Sequence, residues 1–181
     1  MRRVDVVPYC NEWPDRFAEE AAEIRQLQLQ GFRNLYHIGS TSVPGLAAKP
    51  ILDLLMEVES LKELDEQAHK LAFIGYEAFG ENGIAGRRYF QKGGEERSHQ
   101  IHAFATGDPG LERHLAFREY LRAYPDVRAA YASLKKQVAA ECEHDIERYC
   151  DGKNAFIQHH EALALAWWTG ELPEDQESES A

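Results

Sequence analysis

The feature that most constrains the fold is a carboxylate set inside an apolar strand. Residues Ile51 to Val58 form an apolar run interrupted near its start by Asp53 and near its end by Glu57. Such a run reads as a buried strand, and an acid there is costly unless something partners it. A metal ion with a phosphate is one natural partner. The segment before the run suits that role. A first apolar stretch ends at Ile38-Gly39-Ser40-Thr41, and a Gly/Pro-rich turn leads on to Lys49. Glycine lets backbone approach a ligand closely, while Ser40 and Thr41 offer hydroxyls and main-chain N–H groups to phosphate oxygens. The layout therefore reads as a phosphate cradle facing an acid-bearing strand. A plain strand-ending turn is the competing account, because Gly, Ser and Thr are ordinary turn formers.

Alternation along the strand sends Asp53, Leu55 and Glu57 to one face and Leu52, Leu54 and Met56 to the other. Glu57 lies about 13 Å along the strand from Asp53, too far for both to ligate one small ion, and is expected at most in a supporting role. In the strand Gln100 to Ala105, Gln100, His102 and Phe104 share a face. Strand pairing could therefore bring His102 beside Asp53. Imidazole is a good ligand for zinc, manganese or iron but a poor one for magnesium, which prefers oxygen. The expected cofactor is accordingly a divalent metal on Asp53, magnesium or manganese, with zinc the choice if His102 ligates. His102 could instead act as a base or hold a phosphate, or serve structure alone.

The cations a phosphate chain needs are available in Lys49, Arg88, Lys135 and Lys153. Tyr149 and Lys153 would share a helical face if the helix runs through Asp151-Gly152. His37, one residue before Ile38, could orient the turn. His159-His160-Glu161 lacks the spacing of a helical zinc site and reads as solvent-facing.

Elsewhere the pattern is regular. A helix starts at Trp13-Pro14 and ends before Gly31, and the strand Phe32 to Ile38 follows. Ser60-Leu61-Lys62-Glu63 is a capping box opening a helix that Gly75 ends. Strands at Tyr76 to Phe79, Arg87 to Lys92 and Gln100 to Ala105 come next, the last two as a hairpin beside the Asp53 strand. After Asp108-Pro109 the chain reads as helix: Leu111 to Ala123, Asp126 to Cys150 with a break near His144, and Lys153 to Trp168. The expected architecture is α+β, a mixed sheet packed with helices and followed by a C-terminal helical layer. Residues 1–170 are expected to form one domain, the sheet core over about 1–107 and the helical layer over about 108–170.

The motif His37 to Asp53, with Gly39-Ser40, twelve residues and then Asp53, resembles the signature of the nucleotidyltransferase superfamily and, in its fuller form, the GrpB family (UPF0157) within it. Pro8-Tyr9, Trp13-Pro14, Arg88-Tyr89-Phe90, His99 to His102, Tyr149, Lys153 and Phe156 extend the resemblance along most of the chain. It implies a nucleotide or other phosphate-containing small molecule as partner, and a divalent metal on Asp53 assisting transfer of a nucleotidyl group to an acceptor. Typical superfamily members carry a second acid two positions after the first, where this chain has Leu55. The alternative is thus a catalytically inactive module binding a nucleotide or phosphate ester. Some proteins resembling the family are joined to dephospho-coenzyme A kinase domains, so that ligand could be coenzyme A-related. A third reading is a protein-interaction accessory domain.

Charge and cysteine usage narrow the setting. With 31 acids against 20 Lys and Arg, the formal net charge of −11 argues against non-specific nucleic-acid binding. Five acids lie in residues 171–181, which reads as a solvated, disordered acidic tail. Three cysteines without zinc spacing, and no apolar run long enough for a membrane span, lead to the expectation of a reduced, cytoplasmic protein with no membrane partner.

Overall fold

The computed structural model describes residues 4–171. The acidic tail expected over 171–181 therefore lies, except for Glu171, outside the described residues. The chain runs α1 (Trp13–Gln26), β1 (Phe32–Ile38), a 3-10 turn (Ser40–Ser42), β2 (Leu52–Val58), α2 (Leu61–Glu66), α3 (Ala68–Phe73), β3 (Tyr76–Ala78), β4 (Arg87–Lys92), a second 3-10 turn (Gly94–Glu96), β5 (His99–Ala105), α4 (Pro109–Ala123), α5 (Pro125–Glu141) and α6 (Ile146–Trp168). The five strands form one mixed sheet in the order β1-β2-β5-β4-β3. β2 pairs antiparallel with β1 and parallel with β5, and β4 and β5 form the expected hairpin. The acid-bearing strand is thus flanked on both sides by partners. This is the α+β mixed sheet that the sequence leads one to expect.

The alternation of β2 divides the interior. Leu52, Leu54, Met56 and Val58 pack with Ile101, Ala103 and Phe90 under Trp13, Ala21 and Ile24 of α1 and Leu64 and Leu71 of α2 and α3. On the other face Leu55 is fully buried with Ile38, Phe104 and Leu111, beneath α4. Burying a leucine side chain in this way stabilises the fold by roughly 1.5–3 kcal/mol. On that second face Asp53, at its open end, and Glu57, near the other end, remain partly exposed. No helix among the described residues is long and apolar enough to cross a membrane.

Two element boundaries differ from expectation. The Ser60 hydroxyl caps the helix by accepting from the Glu63 N–H at 3.3 Å, but the helix breaks at Gln67. The Gln67 side chain is drawn across to the chain entering β1, where it accepts from the Gln30 N–H at 2.8 Å and donates to the Gln30 carbonyl at 3.2 Å.

The second difference concerns Asp151-Gly152, which does not punctuate the C-terminal helices. The break falls at Glu143 and His144, both with positive φ, and Asp145 caps the new helix by accepting from the N–H groups of Glu147 and Arg148. α6 then runs unbroken through Gly152. This glycine serves packing: a Cβ there would stand 2.6 Å from Cγ1 of Val138 on α5. Valine has little rotamer freedom to retreat. Gly152→Ala should therefore lower stability. Overpacking costs roughly 1–3 kcal/mol against about 1 kcal/mol gained in helix propensity. Urea unfolding should show the loss as a lower midpoint at unchanged slope.

Candidate functional site

The site begins where β1 ends. Ile38 pairs with Asp53 across the β1/β2 ladder, so the next residue turns directly over the carboxylate. Gly39 has φ 71° and ψ −174°, a region that side chains rarely enter, and a Cβ at this position would stand 2.6 Å from Asp53 Oδ2. Both the backbone conformation and the close approach require glycine. The turn is then fixed from several directions. The Ser42 hydroxyl donates to the Gly39 carbonyl at 2.6 Å, and His37 Nε2 and the Thr41 hydroxyl share a hydrogen bond of 2.8 Å. The His37 ring stacks on Phe17 of α1 at 5.0 Å. From α4, Arg118 donates to the His37 carbonyl at 3.0 Å and Arg122 donates twice to the Ser42 carbonyl, at 3.1 and 2.7 Å. Burial lowers the His37 pKa to about 4, Asp53 opposing and the two arginines reinforcing the shift. His37 is therefore neutral at pH 7 and orients Thr41.

Asp53 and His102 meet, His102 Nε2 lying 3.1 Å from Asp53 Oδ1. On its other side His102 Nδ1 lies 3.3 Å from Arg87 Nη1. Arg87 was not singled out in the sequence, although alternation sends Arg87 and Arg88 to opposite faces. Arg87 takes the site face, and Arg88 turns away to a bidentate pair with Asp65 at 2.7 and 3.0 Å. The structure thus does not bring Arg88 to the cleft. Neither does it bring Glu57, which accepts from Asn34 at 2.8 Å. His102 turns one ring nitrogen toward Arg87 and the other toward Asp53. Among the described residues no group of three or more His, Cys, Asp or Glu is placed to hold a metal ion.

Above Asp53 lies a cleft of about 410 Å³, lined by Ser40, Thr41, Lys49, Arg97, Lys135 and Lys153 among others. Lys49 and Lys153 both lie over the ring of buried Tyr149, at 4.8 and 4.5 Å from its centroid. The i, i+4 pairing of Tyr149 with Lys153 holds because α6 is continuous. Lys135 on α5 is 1% exposed; it donates to the Ala47 carbonyl and lies over the Tyr131 ring at 4.5 Å. Burial, reinforced by Lys153 and Lys49, lowers its pKa to about 7. Burial lowers the Lys153 pKa as well, with Cys150 and Asp53 opposing. Tyr131, which the sequence reading missed, is buried and stacks on Phe156 at 5.0 Å. Its only sequence signal is one more aromatic residue on an amphipathic helix.

A mixed sheet with an acid beside a Gly-Ser turn at its open end is the architecture of the nucleotidyltransferase fold. A crystal structure of the Cid1 poly(U) polymerase bound to MgGTP shares it at TM-score 0.51 and 15% identity, over 72% of this chain and 43% of that one. The profile described as GrpB protein matches residues 3–162, and the chain belongs to the GrpB family. The crystal structure of GrpB from Enterococcus faecalis superposes at TM-score 0.87 with 41% identity, covering 91% of this chain and 99% of that one. UPF0157 protein YqkA of Bacillus subtilis is 44% identical over 93% of this chain, which spans 49% of the length of that relative.

The lysine cluster has a measurable consequence. An unfolded Lys135 titrates near 10.5 and the folded one near 7. Between those values the unfolded chain binds more protons, so this residue makes stability rise with pH, by up to about 1.4 kcal/mol per pH unit. Lys135→Met should therefore be more stable than wild type at pH 7, and its advantage should shrink as pH approaches 10. Urea melts of the two proteins across that range check the sign.

Proposed function

We propose that the cleft binds a nucleotide or a closely related phosphate ester, with its phosphates against the Ser40-Thr41 turn and among Lys49, Arg97, Lys135 and Lys153. The observation that carries this reading is the concentration of charge. Four cations and one carboxylate line a single cleft in a chain whose net charge is −11. The ammonium of Lys135 is buried against an uncharged carbonyl, and an anion bound beside it would offset that cost. The lysines act as point charges and the Arg97 guanidinium as a planar donor.

A magnesium or manganese ion fits this site only as a companion of the phosphates. Asp53 supplies one carboxylate, and the remaining ligands would be phosphate oxygens and water, the arrangement usual for magnesium. Zinc is disfavoured by the partners already engaging both nitrogens of His102. Binding is the stronger reading because the second acid of the superfamily pattern is replaced by Leu55, which is wholly buried and faces Phe104 and Leu111. Nucleotidyl transfer is the second reading, favoured by the fold shared with an MgGTP-bound polymerase. In it an acceptor would attack the α-phosphorus and pyrophosphate would leave, the cationic side chains stabilising the charge that develops. A coenzyme A-related ligand belongs to the same chemical class, since it too presents a diphosphate.

Thermal unfolding tests the reading. The ligands are ATP, CTP, GTP, UTP and dephospho-coenzyme A, each with magnesium, manganese or chelator. A ligand at 100 times its dissociation constant adds about 2.7 kcal/mol, a rise of about 5–11 °C for a chain of this size. Lys49→Ala/Lys153→Ala should lose the rise, whereas Asp53→Ala should lose only its dependence on metal. A wild-type midpoint unmoved by every one of these ligands overturns the proposal.

A further inference from the structure

Arg87 is a buried arginine, 6% exposed, with no carboxylate partner among the described residues. Its guanidinium instead donates to the carbonyls of Glu81 at 3.1 Å and Asn82 at 2.7 Å, lies over the Tyr89 ring at 4.9 Å, and places Nη1 3.3 Å from His102 Nδ1. A guanidinium has donors and no acceptor. The His102 atom facing it must therefore be the lone-pair nitrogen, and the ring hydrogen must sit on Nε2. There it points at Asp53 Oδ1, 3.1 Å away.

We infer that Arg87 is a positioning residue that fixes His102 as its Nε2–H tautomer, so that His102 is a permanent donor to Asp53 Oδ1 and leaves Oδ2 as the oxygen presented to a ligand. His102 is held for this task by its surroundings. The Tyr89 and His114 ring centroids lie 5.3 and 5.4 Å from its own. Oδ2 is the carboxylate oxygen that lies against Gly39. A cation entering with a phosphate ester would therefore meet a single protein oxygen, oriented from behind by an imidazole in the manner of a supporting hydrogen bond to a metal ligand. The imidazole nitrogen itself takes no part in coordination. This last consequence rests on the proposed function; the tautomer does not.

The test separates the two. A long-range proton–nitrogen NMR spectrum of the ligand-free, 15N-labelled chain identifies His102 by the signal lost in His102→Gln. The expected result is an unprotonated Nδ1 and a protonated Nε2 in wild type, with averaging between tautomers in Arg87→Met. A protonated Nδ1, alone or with Nε2, overturns the inference, and wild type alone decides this even where Arg87→Met fails to fold. The second arm reads the metal-dependent part of nucleotide binding. Gln at 102 keeps an N–H donor, so His102→Gln should stay near wild type, while His102→Leu should lose roughly 10–100-fold in manganese affinity. Equal losses in both variants would mark His102 as a ligand and overturn the orienting role. Absence of nucleotide binding in wild type would sink the proposed function and leave the tautomer assignment standing.

Discussion

The site depends on the close approach of the Gly39 backbone to the Asp53 carboxylate, so close that a Cβ on residue 39 would stand 2.6 Å from Oδ2. Antiparallel pairing of β1 with β2 sets Ile38 opposite Asp53, so the chain must turn over the acid at its next residue. A carboxylate in a sheet interior costs several kcal/mol unless its oxygens are engaged. Hydrogen bonds to charged groups return about 1.5–3 kcal/mol each, so one from His102 is not enough to make the position comfortable. The structure relieves the cost by placing Asp53 at the strand's open end and filling the remainder of that face with Leu55, Phe104 and Leu111. The turn cannot relax away from the carboxylate, because Arg118 and Arg122 on α4 grip the carbonyls of His37 and Ser42.

The lysines extend the same principle to the other side of the cleft. Lys135 is buried and its carbonyl acceptor bears no net charge, and Lys49 and Lys153 both lie over a tyrosine ring. A cation over an aromatic face gains about 0.5–2 kcal/mol, less than full hydration would give an ammonium. Burial has thus removed water from Lys135, while Lys49 and Lys153 remain partly exposed. Under the proposed function, a phosphate would find in Lys135 a donor whose attraction is little screened by water.

How much of this could be read in the sequence depends on whether a residue's role leaves a local pattern. Period-two alternation placed Asp53 and His102 correctly on their strands, and the hairpin of β4 and β5 followed from the glycine-bearing turn between them. Alternation also requires Arg87 and Arg88 to part, but it cannot say which of them faces β5's histidine, since both faces of β4 are covered. Gly152 looked like punctuation because a glycine that ends a helix and one that admits a neighbouring helix are the same letter. Arg118 and Arg122 were invisible for another reason. Their acceptors are main-chain carbonyls about 80 residues away, as the Arg122–Ser42 bond shows, and a carbonyl has no sequence signature. Lys135 could be named as a cation, but only burial by α5 against Ala47 and Tyr131 distinguishes it from exposed Lys136 beside it.

The replacement at position 55 is where fold and chemistry part. On β2, position 55 shares the face of Asp53 yet lies one pleat further in, where α4 closes over the sheet. An acid there could join Asp53 only if α4 stood back, and in this chain Gly110 instead brings that helix so close that a Cβ would stand 2.5 Å from Phe104. Leu55, Phe104 and the glycine of α4 form one packed unit, so restoring a carboxylate requires more than a single substitution. The counter-charge that a second acid would have attracted is held elsewhere, on Lys49, Lys135, Lys153 and Arg97. Under the proposed function, a cleft built in this way would hold the phosphates themselves rather than a pair of metal ions.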